Sequence, residues 1–171
     1  DNLWIQGKLN PHLIAKSAYE IATVVGFQRP EMGQAKMLMV EETGTGSEHP
    51  YSGEKLSPVL TLYRAKNFKS ACQKIIELYE FQGKGHSVGL HSKDETRPVE
   101  MGLNLPACRV IVNQPHCLAT GGSFGNGMPF SLSMGCGTWG RNSISDNLNY
   151  RHFLNIVRVV RPVTPIEPSE E

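Results

Sequence analysis

The sequence predicts an α/β layered domain built on a mainly parallel sheet flanked by helices. Short apolar runs at residues 37–40, 59–63, 87–90 and 110–112 read as strands. Between several of them, apolar residues recur every three or four positions, the period of a helix face. The 171 residues are 39% hydrophobic and 19% charged, a balance that supports one domain with an ordinary core.

Taken in order, Asn10 and Pro11 have the form of an N-cap followed by a first-turn proline. Ile14, Ala18, Ile21 and Val25 then lie on one helical face, which Gly26 ends. Residues 37–40 predict a buried strand, residues 43–53 a loop rich in Gly, Ser and Thr, and residues 59–63 a second strand. Asn67 can cap a helix whose buried stripe is Phe68, Cys72, Ile75 and Tyr79, and the Gly-Lys-Gly at 83–85 stops it. Residues 87–90 are short enough for a strand. Residues 93–100 predict a polar loop, or a brief helix interrupted at Pro98. The β-branched run at 110–112 is the clearest strand in the chain.

Residues 115–149 are dense in Gly, Ser and Asn and lack periodicity. A stretch that long inside a domain is either functional or disordered; Phe124, Phe130 and Trp139 argue for order. Residues 153–160 read as a strand and residues 162–171 as a disordered tail. This divides the chain into a domain over 1–161 and a tail over 162–171. The chain begins DNLWIQGKLN, without an initiator Met, which favours a piece of a longer protein.

A net charge of +1 gives no reason to expect nucleic acid or an anionic membrane as partner. No run reaches the roughly 18 apolar residues of a membrane span. Cys72, Cys108, Cys117 and Cys136 form no CxxC pair and read as reduced thiols in a cytoplasmic protein. The six histidines contain no i, i+4 pair, so no metal site is expected. Residues 135–140, GCGTWG, match G-x-G-x-x-G, but the acid expected about 20 residues on is absent, which favours a tight glycine turn. Cys108, Cys117 and Cys136 could each be a nucleophile if a base or cation lowered the thiol pKa. His116 is adjacent to Cys117, yet neighbours in an extended chain point apart. His86 follows a glycine-rich turn and reads as either a functional or a structural histidine. Glu54 opens a proline-containing turn where a carboxylate can accept hydrogen bonds from sugar hydroxyls; a solvated surface glutamate is the other reading.

Several segments together resemble the C-terminal catalytic half of the CoA-acylating aldehyde dehydrogenases. They are EKLSPVL at 54–60, KGHSVGLHS at 84–92, RVIVNQP at 109–115, GCGTWGRNSISDN at 135–147 and YRHFLNIVRVV at 150–160. The resemblance spans nearly the whole chain. It implies a three-layer α/β catalytic domain with a C-terminal oligomerisation strand, in a homo-oligomer. It implies that Glu54 binds the nicotinamide ribose and Leu56 packs near the nicotinamide of NAD or NADP, with coenzyme A as co-substrate. Residues 116–123, HCLATGGS, depart from the stretch expected to line the aldehyde site, and Arg141 stands where a glycine is common. His116, Cys117, Thr120 and Arg141 are therefore the candidate substrate-binding residues. Backbone donors beside an arginine suit an anionic substituent, a pattern that resembles the sulfoacetaldehyde-oxidising members. The family's nucleophilic cysteine and dinucleotide-binding domain have no match here. The resemblance thus implies that catalysis on a small aldehyde needs a missing N-terminal half, and that this piece alone is inactive. Two other readings stay open: a self-contained cysteine hydrolase or acyltransferase using Cys117 or Cys136, and a non-catalytic assembly module.

Overall fold

The computed structural model describes residues 2–27 and 29–164. An antiparallel hairpin, β1 (Trp4–Ile5) and β2 (Lys8–Leu9), opens the chain. Helix α1 spans Ala18–Val24 and starts later than expected. The reason is local. Ala15 has φ 57°, which no helix can run through, and Ser17 is the true cap. Its hydroxyl accepts from Glu20 N while the Glu20 carboxylate accepts from Ser17 N, a reciprocal capping box. Asn10 instead shapes a turn, accepting from His12 N. Gly26 ends the helix at φ 79°, as expected.

Strands β3 (Leu38–Glu41) and β4 (Val59–Leu62) pair in parallel, with Leu38 opposite Val59 and Glu41 opposite Leu62. They join α1 around a first core of Leu3, Leu13, Ile21 and Val59. Trp4 meets Tyr51 edge-on there, with ring centroids 4.7 Å apart. Helix α2 (Phe68–Gln82) is capped by Asn67 and ends at Gly83, φ 108°. Its Phe68, Cys72, Ile75 and Tyr79 pack on a second core of Val88, Met101, Leu105 and Ala107. The predicted stripe is the observed one.

Strands β5 (Val88–Leu90) and β6 (Val110–Val112) pair in parallel, joined by helix α3 (Arg97–Asn104). Pro98 is the second residue of α3 and does not interrupt it. In the first turn a missing N–H costs nothing, since that donor has no intrahelical partner. Residues 115–149 carry only a short helix, α4 (His116–Ala119), and a single 3₁₀ turn at Thr138–Gly140.

The α/β class holds, with two differences. The described residues form three separate two-stranded sheets, of which two are parallel, and no single wide sheet. The strand expected at 153–160 is also absent. Asn149 caps a 3₁₀ turn at Tyr150–Phe153, and residues 154–164 run on without a ladder partner. Ile156, Val157, Val159 and Val160 stand 65–88% exposed. An apolar β-branched run becomes a strand only when an edge is offered to it, and among the described residues none is. Most of the expected tail lies outside the described residues; 162–164 are irregular and exposed.

Tyr79 is a checkpoint for the second core. Its hydroxyl donates to Ser87 O at 2.7 Å, and burial pushes its pKa up to about 12. The folded pKa lies above the ordinary value of 10, so its contribution is complete below pH 10 and is lost as pH rises towards 12. Tyr79→Phe is expected to cost about 1 kcal/mol at neutral pH and to flatten the alkaline fall in stability. Urea unfolding at neutral and alkaline pH reads both.

Candidate functional site

The first part of the site is the turn at 54–58. Lys55 is its anchor. The ammonium donates to Tyr51 O at 2.8 Å, Gly53 O at 2.6 Å and Thr61 Oγ1 at 3.0 Å, so it holds the turn through its interior. Burial lowers its pKa, with Glu54 opposing. Leu56 takes φ 46°, a strained value for a leucine, and its carbonyl accepts from Ala15 N at 2.8 Å. The turn thereby presents Glu54 and Leu56 outwards, both exposed, on the wall of a cleft of about 750 Å³. Trp4, Phe81 and Gln82 complete that wall. Glu54 N donates to Gln82 Oε1 at 3.2 Å. A carboxylate beside apolar faces suits a ligand with hydroxyls next to a ring.

The second part is a histidine pair on the β5 side. His86 Nδ1 lies 2.6 Å from Ser87 Oγ, and Ser87 Oγ lies 2.8 Å from His116 Nε2. Desolvation lowers the His86 pKa, helped by the Arg109 guanidinium and opposed by Glu54. The same Glu54 that lines the cleft is therefore within electrostatic reach of His86. Desolvation also lowers the His116 pKa, and His86 adds to the effect. Both rings stay neutral at neutral pH. A neutral imidazole beside a cleft can act as a base.

Arg109 and Asn147 hold this region together. Arg109 is 5% exposed and Asn147 fully buried. Arg109 Nε donates to Asn147 Oδ1 at 2.9 Å, and Nη1 donates to His86 O at 3.0 Å and Gly135 O at 2.9 Å. Asn147 Nδ2 donates to Thr120 O at 2.9 Å and Pro129 O at 2.8 Å. One guanidinium and one amide thus tie β5, α4 and the long irregular stretch into one unit. This network orders residues 115–149. The aromatic residues do not: Phe124 is 98% exposed and pairs only with half-exposed Phe130.

The candidate substrate residues divide. His116, Cys117 and Thr120 share α4 and its C-cap, so the extended chain assumed for His116 and Cys117 is not observed. His116 is engaged with Ser87; Cys117 is exposed; Thr120 is buried at 5% exposure. Arg141 is exposed at φ 59°, in the turn after Thr138–Gly140. The GCGTWG run is a tight glycine turn: Gly137 adopts φ 59°, and an added Cβ at Gly140 would sit 2.3 Å from Cys136 Cβ. Among the described residues no histidine hydrogen-bonds to Cys117 or Cys136, the two thiols a cysteine hydrolase would use. The thiolate that a cysteine hydrolase requires gains no support. Sequence reasoning flagged His86 but missed Ser87, whose only signal was its place between two histidines in space.

No family model matches the chain. It is 53% identical over 168 residues to the sulfoacetaldehyde dehydrogenase (acylating) of Cupriavidus necator, covering 98% of this chain and 34% of that protein. It is 38% identical over 156 residues to the succinate-semialdehyde dehydrogenase (acetylating) of Clostridium kluyveri, covering 91% and 34%. Its fold matches an acetylating aldehyde dehydrogenase of Geobacillus thermoglucosidasius with TM-score 0.82 and 35% identity, over 98% of this chain and 36% of that one. The chain is thus homologous to acylating aldehyde dehydrogenases over nearly all of its length. It spans about a third of the length of the curated relatives it matches.

Proposed function

We propose that this chain is part of an oxidoreductase that converts an aldehyde to an acyl-CoA with a nicotinamide cofactor, through a thioester on a cysteine outside the chain. The observation that carries it is the 53% identity to an acylating sulfoacetaldehyde dehydrogenase across 98% of the chain. The large exposed apolar side chains Leu118, Phe124, Phe130 and Leu132, 61–100% exposed, fit a segment that packs against more protein. The apolar run at 154–160 fits strand pairing with a second copy in a homo-oligomer. The four free thiols suit a cytoplasmic setting; no helix among the described residues is long and apolar enough to cross a membrane. Among the described residues no cluster of three or more His, Cys, Asp or Glu could hold a metal.

The residues present suit the cofactor. Glu54 offers an exposed carboxylate for the ribose hydroxyls, with Leu56, Trp4 and Phe81 as apolar walls. When bound, NAD or NADP supplies the hydride acceptor. Glu54 then orients the sugar, and Leu56 packs near the ring. His86 accepts the thiol proton of coenzyme A as the acyl group moves to sulfur. Arg141, which is exposed, is the residue that would meet an anionic substituent on the aldehyde, with Cys117 and the α4 backbone near His116 as further lining.

The test is a comparison of sulfoacetaldehyde with acetaldehyde in the full-length enzyme, following CoA-dependent nicotinamide reduction. A kcat/KM at least tenfold higher for sulfoacetaldehyde, reduced towards parity by Arg141→Gly, is the expected outcome. Equal use of both aldehydes would remove the anionic-substrate assignment. Absence of CoA-dependent reduction with any aldehyde would remove the activity itself.

A further inference from the structure

We propose that Ser87 and His116 set the tautomer of His86, so that His116 is a positioning residue for the acyl-transfer step. This inference rests on the assignment of His86 as the base that takes the coenzyme A thiol proton.

A serine hydroxyl has one proton, so of its two imidazole neighbours it donates to one and accepts from the other. The chain His86 Nδ1, Ser87 Oγ, His116 Nε2, with links of 2.6 and 2.8 Å, therefore has two self-consistent orientations. In the first, His86 Nδ1–H donates to Ser87, and Ser87 donates to His116 Nε2. His86 Nε2 is then an open lone pair, and among the described residues it has no hydrogen-bond partner. In the second, His116 Nε2–H donates to Ser87, and Ser87 donates to His86 Nδ1. The proton of neutral His86 then sits on Nε2, and the open nitrogen is no longer basic. The choice between an active and an inactive base is made by whether His116 Nε2 accepts or donates.

The base role assigned to His86 requires the first orientation, and the surroundings keep both rings neutral and in place. An accepting Nε2 requires neutral His116, and the groups facing the pair oppose its protonation. His116 is desolvated and lies near His86; at His86 desolvation and the Arg109 cation oppose protonation while Glu54 favours it. Arg109 Nη1 also donates to His86 O, which fixes the backbone that carries the base. The fold makes space for the acceptor ring as well. A Cβ at Gly89 would lie 2.7 Å from His116 Nδ1, so the absence of a side chain in β5 lets the ring pack against the strand.

The chemistry balances without a further reactant. The S–H bond of coenzyme A breaks as the N–H bond at His86 Nε2 forms. The new thiolate attacks the thioester carbonyl, and the cysteine thiolate leaves. The imidazolium keeps its Nδ1–H donated to Ser87 and returns the Nε2 proton to the departing thiolate or to water. The Ser87-to-His116 bond is already oriented to support this cationic form.

The experiment uses the full-length enzyme with acyl-CoA formation as readout and ¹⁵N histidine spectra as a second measure. Ser87→Ala and His116→Leu are expected to lower kcat for acyl transfer roughly tenfold to a hundredfold, with aldehyde KM little changed. His116→Gln, whose amide oxygen can accept from Ser87, is expected to stay within about threefold of the parent, and Ser87→Thr to retain activity by keeping the hydroxyl. The spectra are expected to show His86 as the Nδ1–H tautomer in the parent and in His116→Gln, and a mixture in Ser87→Ala. Loss in His86→Ala with no loss in Ser87→Ala or His116→Leu would overturn the relay while leaving His86 as the base. No loss in His86→Ala would remove the underlying assignment instead. A parent spectrum showing His86 as the Nε2–H tautomer would overturn the relay irrespective of rates.

Discussion

The His86→Ala variant of the full-length enzyme is expected to lose about 10²- to 10³-fold in CoA-dependent turnover, the usual worth of a positioned general base. The loss should be confined to one half-reaction. Under the proposed mechanism hydride transfer from the aldehyde does not use His86, so a single burst of nicotinamide reduction without coenzyme A should persist. The acyl group should then remain on the enzyme, detectable as a mass increase. In the parent, desolvation and Arg109 hold the His86 pKa below its ordinary value. The base form therefore persists through neutral pH, and turnover should fall only below the ordinary imidazole range of about 6.5. Arg109 cannot be used to test this, because it also carries the fold. Loss of the burst together with turnover would show that His86 acts on an earlier step or on structure.

The second large effect concerns Asn147. Its replacement by alanine leaves Thr120 O and Pro129 O without their donor and Arg109 Nε without its acceptor, the Thr120 and Arg109 groups in a buried setting and the Pro129 carbonyl part-buried. Among the described residues Arg109 Nη2 is already buried without a partner. Each orphaned group costs about 1–3 kcal/mol, and some relaxation is expected, so the variant should be destabilised by about 3 kcal/mol or more. Asn147→Asp is the sharper test. A carboxylate would strengthen the bond to Arg109 Nε, but its other oxygen would face two carbonyls in place of donating to them. If the guanidinium charge dominated, aspartate would stabilise; if the amide's dual role dominates, aspartate should fail nearly as badly as alanine. The structure predicts the second result. Urea unfolding midpoints of the two variants decide it.

The periodicity of α2 was legible because its stripe is a local pattern set by 3.6 residues per turn and confirmed by one apolar face. Strands β4, β5 and β6 were legible as short apolar runs, β6 most clearly because all three of its residues are β-branched. The start of α1 was not, because two candidate caps, Asn10 and Ser17, compete over a few residues, and the left-handed Ala15 decides between them. Pro98 was read as a breaker because a proline alone does not reveal whether it stands inside a helix or at its first turn. In the candidate site, Glu54 and Leu56 were found through a motif that is contiguous in sequence. The relay of His86, Ser87 and His116 was not, since it joins residues that are 29 positions apart.

The sequence by itself determined the α/β class, the helix faces, the kinship with acylating aldehyde dehydrogenases and the carboxylate-bearing turn, all of which rest on near neighbours or on contiguous motifs. Only the tertiary structure decided how the long irregular stretch is held. Arg109 and Asn147 are 38 residues apart, and neither carries a local pattern that announces the other. A buried cation and a buried amide are costly alone, so their placement depends on carbonyls that β5, α4 and the glycine turn bring to them from separate parts of the chain.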